Sequence, residues 1–143
     1  MPVAVKRVYE SVSRSDGARV LVDRLWPRGL RKSEIAMHEW LRDLAPSDTL
    51  RKWFHAQPER WLVFRKRYLK ELARPEAEKD LQKLYRLARK KKRLTLLFAS
   101  KNEKHNNAVV LKALLDGMRK PPTGTGPGAL RAVRTRGAAV RRR

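Results

Sequence analysis

Residues 94–99 form a short, continuous apolar run that ends abruptly on both sides. The basic segment of residues 90–93 precedes this run, and Ser100, Lys101 and Asn102 follow it. An apolar run of this length without alternation is typical of a strand that is buried on both faces, as in a parallel sheet. The run therefore predicts a central strand with other elements packed against both of its faces, and it argues against an all-helical fold.

Further strands and helices are predicted along the first 118 residues. Two strands are expected at residues 3–9 and 19–23, because both segments are rich in β-branched and aliphatic side chains. Apolar side chains recur at helical spacing in three longer segments, which predict helices at residues 58–73, 75–91 and 104–116.

Two short helices are expected between the second and third strands, at residues 35–41 and 47–54. Ser47 is a good N-cap for the second of them, and Pro58 suits the first position of the helix that follows. The order of these elements predicts an α/β fold: a small central, mostly parallel sheet with helices packed on it. Residues 94–99 are expected at the centre of that sheet, and residues 3–9 are expected to pair in it.

The composition changes at about residue 118. We expect residues 1–118 to fold as one domain and residues 119–143 to form a disordered basic C-terminal tail. Three prolines and three glycines lie within residues 121–128, and the tail carries eight Lys or Arg residues and no acid. Its apolar content is too low to offset an ordering entropy of roughly 1–2 kcal/mol per residue.

The charge of the chain indicates polyanions as partners without identifying one. The formal net charge is +22, and between Arg60 and Arg93 there are 14 basic residues against four acidic ones. Such a field attracts nucleic acids and small phosphorylated ligands alike. The alternative is that these charges are solvated helix faces in a protein of arginine-rich composition.

Several classes of protein are excluded by what the sequence lacks. There is no cysteine, which excludes disulfides, thiolate catalysis and zinc sites with cysteine ligands. No apolar run reaches the roughly 18–20 residues that a membrane span needs. We also see no signal peptide, so a cytoplasmic protein is expected. The oligomeric state and any cofactor are not indicated by a motif.

Five blocks of the sequence resemble the YeaO-like family, a bacterial domain of unknown function. The blocks are VLVDRLWPRG at residues 20–29, WLRDLAPS at 40–47, LRKWFH at 50–55, FRKRYLKEL at 64–72, and LTLLFASK followed by HNNAVVL at 94–111. The resemblance covers roughly residues 3–118 in order, and the tail has no counterpart in it. It implies an α/β fold, but it implies no reaction and no catalytic residues.

The most informative block begins where the second strand ends. In open α/β sheets, ligands bind beyond the carboxyl ends of the strands. Asp23 can act as an acid or base there, Arg24 and Arg28 offer planar forks that match carboxylate or phosphate, and Trp26 offers a stacking surface. The alternative is an Asp–Arg pair that staples the loop, with Trp26 in the core.

A second polar segment follows the third strand. Ser100 and Lys101 precede a helix, where N–H groups together with the lysine can bind an anion. The alternative is a plain strand-to-helix turn in which Asn102 caps the helix. This segment is not a Walker loop, because the required glycines are absent.

We therefore predict one ligand site at the strand ends, with its acid or base still open. Its candidate residues are Asp23, Arg24, Trp26, Arg28, His55, Ser100, Lys101 and Asn106. His55 is the best candidate for a titrating group. No metal site is predicted, because the three histidines lie far apart and show no ligand spacing. Glu71, if buried against an arginine of the first loop, is either a structural clamp or a wall of the site.

Two functions follow as hypotheses. The first is a domain that binds a small anionic ligand, bearing phosphate or carboxylate, at the strand ends; no nucleophile and base are legible, so the sequence leaves open whether it is an enzyme. The alternative is a nucleic-acid-binding protein that uses the basic helices and the tail. No sequence-reading motif is present, so that binding is expected to be non-specific and electrostatic.

Overall fold

The structure is a computed structural model that describes residues 2–122. Its strands are β1 (Val3–Arg7), β2 (Ala18–Leu21), β3 (Glu39–Trp40) and β4 (Leu94–Phe98). Its helices are α1 (Lys32–Ile35), α2 (Asp48–Ala56), α3 (Trp61–Leu72), α4 (Pro75–Lys90) and α5 (Asn107–Gly117). Short 3-10 turns lie at Arg14–Asp16 and Arg42–Leu44.

The four strands form one sheet in the order β1-β4-β2-β3, and every neighbouring pair is parallel. Leu96 of β4 lies between Val5 of β1 and Val20 of β2, and all five residues of β4 are buried. The predicted α/β fold, with a parallel sheet and residues 94–98 at its centre, is confirmed.

The two faces of the sheet are covered differently. Val20, Leu96 and Phe98 point into the main core, which α3, α4 and α5 complete. Leu21 and Leu97 point the other way, into a smaller cluster that the connections between strands complete. Three long helices therefore cover one face, whereas the short helix α1 and loops cover the other.

The prediction of a helix at residues 35–41 is wrong. Helix α1 ends at Ile35 because Ala36 adopts a left-handed conformation with φ of 51°. The chain then pairs with the sheet, where Glu39 lies opposite Val20. A strand of two residues shows no periodicity, so the tertiary contact decides its structure.

The start of α3 also differs from the prediction. Pro58 lies in a turn that connects α2 to α3, and the helix begins at Trp61. Gln57 accepts a hydrogen bond from the Arg60 N–H at 2.9 Å, which closes this turn before the helix starts. Ser47, by contrast, is confirmed as the N-cap of α2, since its hydroxyl accepts from the Leu50 N–H.

None of the helices within residues 2–122 has both the length and the apolar character that crossing a membrane requires. Residues 123–143 of the predicted tail lie outside the described residues. Residues 119–122 are described. Pro122 is buried, and its carbonyl accepts a hydrogen bond from Gln82 Nε2 of α4 at 2.9 Å.

Candidate functional site at the carboxyl edge of the sheet

Asp23 joins the two loops that leave β2 and β4. Its Oδ2 accepts a hydrogen bond from the Ala99 N–H at 2.9 Å, and its Oδ1 accepts from Asn107 Nδ2 at 3.2 Å. Asn107 Nδ2 also donates to the Val22 carbonyl at 2.9 Å. The loops that carry the candidate residues therefore converge at the carboxyl edge of the sheet, as the parallel strands require.

The burial of Asp23 makes its charged form more costly than it is in water. Burial raises the pKa of the Asp23 carboxyl, and the hydrogen bonds from Ala99 and Asn107, with the charge of Arg51, oppose this rise without cancelling it. Both carboxyl oxygens already have partners. Through these hydrogen bonds, Asp23 connects the end of β2 to the end of β4 and to the start of α5.

Arg24 holds a neighbouring loop. Its Nη2 donates to the Ala45 carbonyl at 3.3 Å, and its Nε donates to the Pro46 carbonyl at 3.4 Å. It forms no ion pair with Asp23 among the described residues. The arginine thus staples the segment ahead of α2 through backbone carbonyls, and not through the carboxylate that precedes it in sequence.

Trp26 is used in packing. Its indole Nε1 donates to the Leu30 carbonyl at 2.7 Å, and its ring meets that of Trp40 edge to face at 5.4 Å. It packs on the smaller cluster beside Leu21 and Leu97. Arg28 on the same loop is exposed, and its backbone carbonyl accepts a hydrogen bond from the Tyr9 hydroxyl at 2.9 Å.

The loop after β4 folds back on itself before α5. Ser100 Oγ accepts from the Asn102 N–H at 3.1 Å, and Asn102 Oδ1 accepts from the His105 N–H at 2.9 Å. Asn106 is the N-cap of α5, because its Oδ1 accepts from the Val109 N–H at 3.0 Å. Asn106 therefore caps the helix in place of Asn102, and α5 begins three residues later than predicted. Lys101 is exposed on this loop.

His55 lies in the last turn of α2 and is exposed. No hydrogen bond or ring contact within the described part of the chain joins it to the strand-end loops. A different histidine lies there: His105 stacks on the ring of Trp61, with centroids 4.5 Å apart and an interplanar angle of 11°. His105 is the first residue of the HNNAVVL block and directly precedes the candidate Asn106, so its position in the sequence could have identified it.

Sequence reasoning also missed a buried polar network behind Asp23. The Tyr68 hydroxyl donates to the Leu44 carbonyl, and the side chain is fully buried. Burial, together with the carboxylates of Asp23 and Glu71, raises the pKa of Tyr68 well above its ordinary value of 10.0. Tyr68 is therefore a neutral hydrogen-bond donor in this fold.

Glu71 clamps the start of α2. Its two carboxylate oxygens accept hydrogen bonds from the Ser47 N–H at 2.7 Å and from the Ser47 hydroxyl at 2.6 Å. The partner of Glu71 is thus Ser47, and not an arginine of the loop at residues 23–29. The serine hydroxyl in turn caps Leu50, so the network fixes α2 against α3.

Six of the eight candidate residues thus divide into two groups. Asp23, Arg24, Trp26 and Asn106 are engaged in contacts that hold the strand-end loops, whereas Arg28 and Lys101 extend outward from them. Within residues 2–122, no group of three His, Asp or Glu side chains is placed to hold a metal ion.

The chain is similar to several bacterial proteins. The family model DUF488-N3i, described as the inactive DUF488-N3 subclade, matches residues 2–123. The uncharacterised protein YeaO of Escherichia coli K12 is 47% identical over 111 residues, which is 78% of this chain and 94% of the relative.

The uncharacterised protein Rv3073c of Mycobacterium tuberculosis H37Rv is 43% identical over 115 residues, which is 80% of this chain and 94% of the relative. The predicted resemblance to the YeaO-like family is confirmed. No solved structure matches the chain significantly.

Proposed function

The chain belongs to the inactive DUF488-N3 subclade, and we propose on that premise that it is a non-catalytic domain that binds a small anionic ligand. The ligand bears phosphate or carboxylate and lies at the carboxyl edge of the sheet, above the loops that Asp23 joins. The family description, an inactive subclade, supports the absence of catalysis in this proposal.

The engagement of the strand-end side chains supports the same reading. A general base or nucleophile needs a lone pair directed at a substrate, and a general acid needs a proton directed at it. Both oxygens of Asp23 accept hydrogen bonds from the protein, and the Tyr68 hydroxyl is buried and donates to the backbone. Asp23 and Tyr68 form the base of the site, and other residues hold the ligand above it.

The main support for the proposal is the placement of two exposed cations on the two loops that Asp23 connects. Arg28 follows β2 and Lys101 follows β4, and neither forms an ion pair among residues 2–122. The guanidinium fork of Arg28 suits two oxygens of one phosphate or carboxylate, and Lys101 adds a point charge. Ser100 lies beside Lys101 and extends the same loop.

We expect the double substitution Arg28→Ala/Lys101→Ala to weaken the binding of inorganic phosphate or citrate at least about tenfold. Hydrogen bonds to charged groups contribute roughly 1.5–3 kcal/mol each, and about 1.4 kcal/mol corresponds to a factor of ten. Isothermal titration calorimetry on the full chain measures the change.

The matched control is Lys66→Ala/Arg86→Ala, which removes the same charge from exposed positions on α3 and α4. Equal weakening in both double variants would mean that the anion responds only to net charge. In that case the site at the carboxyl edge is wrong.

Non-specific binding of nucleic acid is a second candidate, and the basic residues between Arg60 and Arg93 favour it. Within the described part of the chain, Lys83 is the only member of this group that forms an ion pair, with Glu39 at 3.9 Å. Most of this charge is therefore available to phosphates. Beyond residue 122 the chain adds six arginines and no acid.

We expect replacement of those six arginines by glutamine in the full chain to flatten the salt dependence of DNA binding by several units. Each neutralised phosphate contributes about 0.9 to the slope of log K against log salt on duplex DNA. The six are Arg131, Arg134, Arg136, Arg141, Arg142 and Arg143.

Fluorescence anisotropy with a mixed-sequence duplex over a salt series gives both slopes. The melting temperature serves as the control, and we propose that it stays unchanged because the exchange of arginine for glutamine removes charge and no large apolar side chain. Identical slopes for the two proteins would show that the tail does not engage DNA.

A further inference from the structure

A cleft with a volume of about 430 Å³ opens at the amino edge of the sheet, opposite to the site proposed above. Arg14 lines it from the turn before β2. Lys91, Lys92 and Arg93 line it from the segment between α4 and β4, and His38 lines it from the segment ahead of β3. The volume falls within the range of roughly 300–1,000 Å³ typical of sites for small ligands.

The lining of this cleft holds four cations and no carboxylate. None of the four forms an ion pair within residues 2–122. The nearby turn contains an acid, Asp16, but that side chain is buried and its oxygens accept from Lys6 and Arg19. The cleft therefore holds four positive charges with no internal counter-charge.

The end of α4 does not account for this charge. A helix C-terminus is equivalent to roughly half a negative charge, which one cation in the last turn balances. Arg89 and Lys90 already occupy the last turn of α4. The three cations that follow, at residues 91–93, exceed what the helix requires.

The walls of the cleft are fixed by the backbone. The Ala18 N–H donates to the Arg93 carbonyl at 3.0 Å, and the His38 N–H donates to the Arg19 carbonyl at 2.6 Å. Gly17 packs directly on the backbone of Arg93. Because the two segments that carry the cations and the segment that carries His38 are joined in this way, little ordering of the backbone opposes the binding of a ligand.

We propose that this basic cleft binds a small ligand that carries several phosphate groups. Four cations that line one cleft match an anion with three or more charges, whereas a single carboxylate leaves most of them uncompensated. The forks of Arg14 and Arg93 suit phosphate oxygens in bidentate geometry, and Lys91 and Lys92 act as point charges. This site uses other residues and another edge of the sheet than the site at Arg28 and Lys101.

The test uses inorganic tripolyphosphate, the full chain and isothermal titration calorimetry at constant ionic strength. The triple substitution Lys91→Gln/Lys92→Gln/Arg93→Gln is expected to weaken binding at least thirtyfold. Arg14→Gln, on a separate segment, is expected to weaken it about fivefold or more. This second variant keeps the test decisive if the triple variant does not fold.

The control triple variant Lys66→Gln/Lys79→Gln/Arg86→Gln removes the same charge from exposed positions on α3 and α4, and it is expected to change the affinity less than threefold. Three results would overturn the proposal: no binding of tripolyphosphate, equal weakening in the control, or a loss that follows Arg28→Ala/Lys101→Ala instead. Binding of duplex DNA without binding of tripolyphosphate would also overturn it.

Discussion

The substitution Gly17→Ala is expected to lower the free energy of unfolding by about 3–4 kcal/mol. Gly17 has φ of 65° and ψ of −136°, a conformation that residues with a side chain rarely adopt. A left-handed or similarly strained residue costs on the order of 1–3 kcal/mol. In addition, a Cβ at this position would lie 2.3 Å from the Arg93 carbonyl oxygen, so the backbone must move.

The movement matters because that carbonyl oxygen accepts the hydrogen bond from Ala18, at the point where β2 and β4 begin to pair. Chemical denaturation followed by circular dichroism measures the change, and we expect the melting temperature to fall by about 10 °C or more. Gly29→Ala is the matched control. Gly29 also has a positive φ, of 83°, but a Cβ there would meet no atom within 4 Å.

The control separates conformational strain from the clash. We expect Gly29→Ala to cost about 1–2 kcal/mol, since only the strain remains. If the two substitutions destabilise the protein equally, the close approach of Gly17 to Arg93 contributes nothing. If Gly17→Ala lowers the free energy of unfolding by less than about 1 kcal/mol, the close packing of Gly17 on Arg93 at the amino edge of the sheet is contradicted.

The centre of the sheet could be predicted from sequence because a strand that is buried on both faces consists mainly of apolar side chains. Residues 94–98 are all buried, so apolar side chains occupy every position except Thr95, and the long amphipathic helices show their periodicity in the same way. By contrast, β3 pairs through two residues, and its structure depends on a neighbour that lies far away in sequence.

Much of the candidate site could not be predicted for a related reason. Asp23, Arg24 and Glu71 are charged residues within the YeaO-like blocks, but the sequence does not show which groups they bind by hydrogen bonds. Asp23 is engaged by Ala99 and Asn107, and Glu71 by Ser47. Partner choice depends on which groups the fold brings within about 3 Å, and that is decided by packing rather than by spacing.

The basic cleft shows the same limit. Arg14 and residues 91–93 lie far apart in sequence, so no spacing between them indicates a common site. Only the parallel register of β2 and β4 brings the starts of both strands, and hence these cations, to one edge.

The substitution Asp16→Asn is expected to destabilise the fold by about 3–5 kcal/mol at pH 7. Asp16 accepts hydrogen bonds from the Ser13 N–H, from Lys6 and from Arg19, and the side chains of Asp16 and Arg19 are almost fully buried. Removal of one partner from a buried ionic cluster leaves an uncompensated charge, which costs roughly this much. Here the variant leaves two cations side by side without an anion.

The surface provides the control. Asp48 also pairs with two cations, Arg51 and Lys52, but its side chain is 51% exposed. Exposed ion pairs contribute roughly 0–1 kcal/mol, so Asp48→Asn should lower the free energy of unfolding by no more than that. Comparable losses in the two variants would mean that the cluster around Asp16 is accessible to water.

The effect of Asp16→Asn should also depend on pH. Burial alone would raise the pKa of the Asp16 carboxyl, but hydrogen bonds from Ser13, Lys6 and Arg19 outweigh it and hold the pKa below the ordinary value of 3.8. A carboxyl with a lowered pKa in the folded state contributes stability above its unfolded pKa, and this contribution is lost as the pH falls through the folded pKa. Urea denaturation should therefore show a constant difference between the native chain and Asp16→Asn from pH 7 to about pH 5, and a smaller difference below pH 4. A difference that stays constant down to pH 2 would mean that Asp16 stabilises the turn through its shape and not through its charge.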